Sequence, residues 1–294
     1  MTTPFKPMIA PSATRPAIYP GGTVNYKLSM LRDNFQLSTW VLLGAALVGT
    51  SFLLVGPWAI YGVLCVYGLI SWRLLEALIM TLGWVPNKWL KDVLPEKFTA
   101  QLPPQDAEDN TPGSSGFCLF ILGARVNHPL GILAPGAKEI DSWAEKCYAE
   151  LKTNEEYGLL GMSTFLGTER EANNLILTLM YFQSTEHLHK FVLSPVHRDT
   201  WSWWLDIQKK YPHLSIMHET YDVPPRHWEA VYVHSHKAGL SGTSVKMEEK
   251  DAEGRDMWWS SPINAARGKF RSGKGRMGCS DGDDNEKVGF MEYH

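Results

Sequence analysis

From residue 34 to residue 72 the chain carries no Asp, Glu, Lys or Arg, a 39-residue run whose centre reads TWVLLGAALVGTSFLLVGPWAIYGVLCVYGLISW. The hydrocarbon core of a bilayer takes about 20 apolar residues per helix, so this run is nearly two spans long. Pro57, preceded by Gly56, lacks the amide that a helix interior needs and interrupts the run near its middle. The pattern predicts a helical hairpin over about 38–55 and 57–82, with Arg73 and Glu76 near the end of the second helix. A secretory signal peptide matches poorly, because the run is too long and begins too far from the N-terminus. Lys6, Arg15, Lys27 and Arg32 precede it, and Lys88 and Lys91 follow it. Positive charge on both flanks predicts both ends in the cytosol. A single long tilted span would instead put the globular part on the opposite side from the N-terminus.

The pattern changes beyond residue 85. Residues 86–115 contain PEKFTAQLPPQDAEDNTPGSSG, a linker composition. FCLFILGA (117–124) is a short apolar, aromatic run of strand type. KEIDSWAEKCYAELKT follows a loop and places Ile140, Trp143, Ala144, Cys147 and Leu151 at helical spacing. YGLLGMSTFLG and NLILTLMYFQ read as two more strands, and STEHLHKF, with His187 and His189, as a solvated turn. SPVHRDTWSWWLDIQKK is a helix with Ser194 as its cap, Pro195 in its first turn and Lys209 and Lys210 at its negative end. LSIMHETY and HWEAVYVHS close the series, joined by the turn DVPPR. The order is β-α-β-β-α-β with one extra strand, the split βαβ or ferredoxin-like plan. The fold class is therefore α+β, with five segments: an N-terminal cytosolic segment (1–37), a transmembrane hairpin (38–85), a linker (86–115), a catalytic domain (116–237) and a mobile tail (238–294). Two helices cover one face of such a sheet, and the other face predicts a homodimer.

Composition narrows the function. A net charge of −3 leaves no electrostatic footprint for nucleic acid. Cys65, Cys118, Cys147 and Cys279 have no metal or redox spacing and read as reduced thiols. The basic stretch Arg267 to Arg276 in the tail reads as a solvated loop or a contact for anionic lipid.

One helical face draws attention. His197, Trp201 and Trp204 stand at offsets of 0, 4 and 7, and at about 100° per residue they share an arc of about 60°. Trp203 points elsewhere. Such a face either packs on the sheet, with the imidazole bound to a backbone carbonyl, or walls a pocket with two indoles.

The blocks HLHKFVLSPVHRDTWSWW, LSIMHETYDVPPRHWEAVYV and RVNHPLGILAPG resemble a fungal family of membrane-anchored monooxygenases of secondary-metabolite clusters. That family, of the fumagillin-pathway type, belongs to the dimeric α+β barrel proteins that include antibiotic-biosynthesis monooxygenases. The resemblance spans about residues 20–237. It implies oxygenation of a lipophilic polyketide or terpenoid intermediate, with molecular oxygen as co-substrate and neither flavin nor metal. In keeping with that, no GxGxxG follows a strand, and no P-loop or facial-triad pattern is present. Such chemistry needs proton transfer, stabilisation of an anion and exclusion of water. His197 is the candidate base. Arg125, Asn127 and His128, after the first strand, are candidates for polarising a carbonyl. His218 and Glu219 lie on opposite faces of one strand by alternation, as do Glu229 and Tyr232, which the family pattern alone recommends. The candidate catalytic set is His197, Arg125, Asn127 and Glu229, and the candidate substrate contacts are Trp201, Trp204, His128, His218 and Tyr232.

Two alternatives use the same residues. In a haem protein of this fold His197 would be the axial ligand. A non-catalytic carrier of a hydrophobic intermediate would need the pocket and no base. The expected location is a membrane, that of the endoplasmic reticulum, with the globular domain facing the cytosol. On this reading, removal of residues 1–85 leaves a domain that folds.

Overall fold

A computed structural model describes residues 5–18, 26–103 and 111–284. In chain order the elements are helices α1 (Tyr26–Asp33), α2 (Leu37–Val55) and α3 (Ile60–Thr81), and strands β1 (Val93–Ala100) and β2 (Phe117–Val126). Next come α4 (Ala137–Thr153), β3 (Leu159–Leu166), β4 (Ile176–Phe182), α5 (Thr185–Val192), α6 (Pro195–Ile207) and β5 (Leu214–Val223). The chain ends with β6 (Tyr232–His236), β7 (Ser244–Lys250), β8 (Asp256–Ser260) and β9 (Pro262–Asn264). The protein is of the α+β class.

The central sheet is antiparallel, in the order β3-β4-β2-β5. Numbered within the domain, its strands run 2-3-1-4, the strand order of the split βαβ plan. The reason β2 reads as a continuous apolar run is visible in its packing. Cys118, Phe120 and Leu122 point to one side, into a core with Cys147 and Leu151 of α4 and Leu188 and Phe191 of α5. Phe117 and Leu119 point to the other side, against Ala100, Leu102, Trp228 and Leu240. Both faces are covered, so the two-residue alternation is lost. His187 and His189 lie on α5, a helix capped by Ser184, and not on a turn.

The second cover comes from segments that composition assigns elsewhere. Within the expected linker, Val93–Ala100 is the middle strand of a sheet ordered β6-β1-β9. Its exposed residues are Pro95 and Glu96, whereas Phe98, Thr99 and Ala100 are fully buried; the polar half hides a strand. β6 was expected to follow β5 in the central sheet. It pairs instead with β1, Tyr232 opposite Phe98, after the Pro224–Pro225 turn redirects the chain.

The expected mobile tail also folds as far as residue 284. β7 and β8 form a hairpin, with Trp258 and Trp259 buried. Its charges run through β7 and the turn, where Asp251 pairs with Arg255, and they mask the apolar strand β8 in a composition count. Beyond it the Arg276 guanidinium is buried and pairs with Glu229 at 2.7 Å. It also donates to the carbonyls of Phe270 and Arg271. Residues 285–294 of the expected tail lie outside the described residues.

The N-terminal segment is more than a flank. Pro7 pairs with Ile263 and Ser12 with Trp258. The Arg15 guanidinium lies 4.6 Å over the Trp258 ring and donates to the carbonyls of Lys152 and Leu159. Truncation at residue 85 would therefore remove part of the folded unit, and the truncated form is not expected to be intact.

Helices α2 and α3 carry the apolar run. Gly56 between them has φ 60 and ψ −141, a conformation through which no α-helix passes. A four-residue 3-10 turn then starts α3. The stretch Leu37–Thr81 is long and apolar enough to cross a membrane, and almost none of it is buried by protein.

A short polar latch joins these helices to the sheet. The Asp33 carboxylate accepts from the Asn174 amide at 2.8 Å and from its side chain at 2.7 Å. Asn34, buried, donates to the Leu130 carbonyl at 3.1 Å and accepts from the Ile132 amide at 2.7 Å. Lys27 of α1 pairs with Glu145 of α4 at 2.8 Å. The loops after β2 and after β3 are thus both held within four residues of the start of α2.

Two stability outcomes follow. Glu229→Gln leaves a buried guanidinium without its counter-charge. Breaking a fully buried pair costs about 3–5 kcal/mol. The Glu229 side chain is 35 % exposed, so a loss nearer ~2 kcal/mol is expected, a fall in Tm of about 4–8 °C by calorimetry. Gly131 has φ 51, and a Cβ there would lie 1.9 Å from the Asn34 Oδ1. Gly131→Ala is expected to destabilise by about 2–4 kcal/mol. Asn34→Ala already breaks the latch, so the double variant should lose clearly less than the sum of the two single losses, as denaturant titration would show.

Candidate active site at the seam of helix and sheet

α6 forms where its sequence signals place it. The Ser194 side chain accepts from the His197 amide at 3.3 Å, and Pro195 occupies the first turn. One stripe of α6 packs on α4: the Thr200 hydroxyl lies 3.3 Å from the Cys147 Sγ, and the Trp203 ring lies 5.9 Å from Trp143. Trp203 thus points away from the His197 stripe, as the helical offsets require.

His197 sits half-buried where α6 meets α5 and the sheet, its ring edge-on to Phe191 at 5.3 Å. Burial is the main force on its basicity and pushes the imidazole pKa below its ordinary 6.5. A contact with the Val192 backbone works in the other direction, and His218 lowers it further as a neighbouring positive charge. His218 stands opposite Leu122 in the β2–β5 register and stacks on Phe120 at 5.4 Å. It therefore faces the helices. Glu219 faces away and accepts from the Tyr221 hydroxyl at 2.6 Å.

The two indoles of the His197 stripe do not close a chamber within this chain. Trp201 is 51 % exposed. Trp204 is partly buried, with its ring 6.4 Å from that of Trp203. The imidazole is packed against Phe191, and the Trp201 indole one turn along its stripe is exposed.

Other sequence-chosen residues lie elsewhere. Arg125 projects from the opposite face of β2, because 125 and 122 differ in parity. Its guanidinium donates to the Asn173 carbonyl at 3.2 Å and pairs with Glu169 at 3.0 Å. It lines a small cleft beside the latch, with Asp33, Asn34, Ile132 and Leu166. Asn127 is exposed and is fixed through its amide, which donates to the His213 carbonyl at 2.7 Å. The His128 Nδ1 accepts from the Leu130 amide at 3.1 Å, and its ring lies 4.9 Å from His213. This trio lies at the foot of the apolar helices and does not meet His197.

Glu229 and Tyr232 belong to the second cover. Glu229 holds Arg276. Tyr232 stacks on Phe98 at 4.9 Å, and its hydroxyl accepts from the Ser241 amide at 3.3 Å. Burial raises its pKa, and burial raises that of neighbouring Tyr181 to about 12. Both phenols stay protonated and structural at neutral pH.

The structure therefore gathers His197, His218, Phe120 and Phe191, with Trp201 and Trp204 on the His197 stripe. Phe120 and Phe191 were missed by sequence reasoning. The even-numbered set Cys118, Phe120 and Leu122 marks Phe120 as helix-facing, but only the β2–β5 register reveals its neighbour. Among the described residues no three His, Cys, Asp or Glu side chains gather as a metal site requires.

Residues 117–240 match the family described as Monooxygenase af470-like. Monooxygenase af470 of Aspergillus fumigatus is 29 % identical over 284 residues, which cover 96 % of this chain and 100 % of that protein. Among solved structures, SnoaB, a cofactor-independent oxygenase from Streptomyces nogalater, aligns with 36 % of this chain and 90 % of its own, at 14 % identity and a TM-score of 0.24. The aldoxime dehydratase OxdRE aligns with 49 % of this chain and 42 % of its own, at 12 % identity and a TM-score of 0.35. The family match over residues 117–240, together with similarity along nearly the whole chain to the Aspergillus fumigatus protein, makes this chain similar to the Monooxygenase af470-like family and supports a monooxygenase.

Proposed function

We propose that this protein is a membrane-anchored monooxygenase that oxidises a lipophilic polyketide or terpenoid intermediate, with His197 as its base. The observation that carries this reading is the position of His197: half-buried at the seam against Phe191, on one helical stripe with Trp201 and Trp204, with burial pushing its pKa below the ordinary value. A neutral imidazole accepts a proton, and indoles suit a flat apolar guest.

For an enolisable methylene or phenol the reaction balances without another reductant. His197 takes the acidic proton, and the carbanion passes one electron to dioxygen. The two radicals combine to a carbon–oxygen bond, giving a peroxide. Loss of water then leaves a carbonyl that retains one oxygen atom, and the other oxygen leaves in the water. His218, on the same face, is placed to orient the developing oxyanion. Arg125, Asn127, Glu229 and Tyr232 have no part in this step.

Membrane anchoring is supported by the lengths of α2 and α3, 19 and 22 residues, or about 28 and 33 Å. Each matches one bilayer crossing, and Gly56 separates them. Trp40 lies at one end of the pair, Trp58 stacks on Tyr61 at the turn, and Trp84 and Trp89 follow α3, positions suited to membrane interfaces. Two spans would keep both ends on the cytosolic side of an endoplasmic-reticulum membrane. A homodimer is supported by the open edge of β5, where Ile216, Met217 and Tyr221 are exposed. A second copy seated there would close the indole side of the site.

The test is incubation of the purified full-length protein with a panel of polyketide and terpenoid intermediates under labelled dioxygen. One labelled atom in the product and one in water is the expected result. His197→Ala should lower turnover by about 10²–10⁴-fold while ligand binding persists. Unchanged turnover would remove His197 as the base, and binding without any oxidation would favour a carrier. A Soret band in the active protein would favour the haem reading, in which His197 would hold the iron.

A pH profile gives an independent outcome. The base works unprotonated, so kcat/KM should fall as pH drops through a value below 6.5 and stay flat from pH 7 to 8. His218→Gln removes a positive neighbour and should move that acid limb to higher pH.

A further inference from the structure

Leu130 and Leu133 are 49 % and 59 % exposed in a loop that has every means of hiding them. The segment Pro129–Leu133 is held by two hydrogen bonds to Asn34, closed by a 3-10 turn at Gly131–Leu133 and braced by His128 through the Leu130 amide. A loop fixed this firmly presents two leucines outward as part of its shape. The same Asn34 stands three residues before Leu37, where the apolar helix α2 begins. The leucines are therefore placed at the depth where the chain enters its apolar run.

We propose that the Pro129–Leu133 loop is a second membrane contact, inserted into the acyl boundary of the bilayer beside the foot of α2. The proposal rests on the reading that α2 and α3 span the membrane. Its occupant is a lipid bilayer, because the exposed apolar surface is continuous with the apolar helices and ends where charge returns. The other latched loop supplies that charge. Glu169 there pairs with Arg125, and Glu171 accepts from Gln36 at 2.7 Å. One side of the collar around α2 is thus apolar and the other ionic, which sets the catalytic domain at a fixed tilt on the surface. Burial of leucines at an interface follows the same area rule as burial in a core.

The experiment uses the full-length chain in liposomes of neutral phospholipid, with single cysteines carrying an environment-sensitive fluorophore and a lipid-borne spin label as quencher. Cys65 and Cys279, the exposed native thiols, are replaced by serine where they are not the labelled site. The three sites are Leu133→Cys, native Cys65 within α3, and Glu253→Cys. Glu253 lies in the β7–β8 turn; Lys246 of that hairpin is tied to Glu155 at the end of β3 remote from the latch.

The label at 133 is expected to be blue-shifted and quenched by a shallow spin label, that at 65 quenched by a deep one, and that at 253 by neither. If 133 behaves like 253 while 65 is quenched, the loop contact is wrong and the spanning helices stand. If 65 is also unquenched, the membrane reading fails and takes the loop contact with it. Leu133 is exposed, so its replacement should not disturb folding, which circular dichroism and the Tm would confirm.

Discussion

The need to cover both faces of β2 governs the architecture. Ten residues of nearly unbroken apolar sequence form a strand that is packed against protein on both sides. Helices α4, α5 and α6 take one face, with Cys118, Phe120 and Leu122 beneath them. The other face draws in β1, the Trp228 segment and the turn around Leu240. Trp228 is anchored by its indole, which donates to the Ser115 carbonyl at 2.8 Å. Ser12 and Pro7 at the N-terminus, and the hairpin of β7 and β8, extend that second cover. The folded unit is thus wider in sequence than the segment 117–240 that carries the family match.

The two faces of the sheet differ in what they hold. The helical face brings His197 and His218 together beside Phe120 and Phe191. The opposite face holds the buried Tyr181, the partly buried Tyr232 and the ion pair of Glu229 with buried Arg276. Tyr181 and Tyr232 keep their protons because burial disfavours the phenolate, and Glu229 is committed to Arg276. Glu229 and Tyr232 both hold segments of the tail, Glu229 through Arg276 and Tyr232 through the Ser241 amide. The latch of Asp33 and Asn34 adds a third function. It couples the apolar helices to two loops of the sheet, so the orientation of the site relative to α2 is set by four side-chain hydrogen bonds rather than by a flexible tether.

Local features were legible in the sequence because they have local causes. The apolar run and its interruption at Gly56 and Pro57, the amphipathic spacing of α4, and the cap and first turn of α6 all depend on residues within a few positions of one another. The strand order within the central sheet was legible as well, since short connections leave few ways to join four strands. His197 and the two indoles of its stripe could be put on one side of α6 from the helical repeat alone.

What only the tertiary structure decided depends on partners far apart in the chain. β1 was concealed because its burial is supplied by residues more than 130 positions later, Tyr232 and Ile263 among them, and its own composition is half polar. The tail was concealed because the charges of β7 and its turn outweigh two buried tryptophans in any local count. His218 joins His197 through the register of β5 on β2 and the seating of α6 above them, and alternation along one strand names a face without saying what covers it. Arg125 was separated from His197 by the same rule, its odd parity placing it across the sheet. Periodicity records how each segment divides water from protein, whereas the pairing of distant segments is settled by complementary surfaces that no single window of sequence contains.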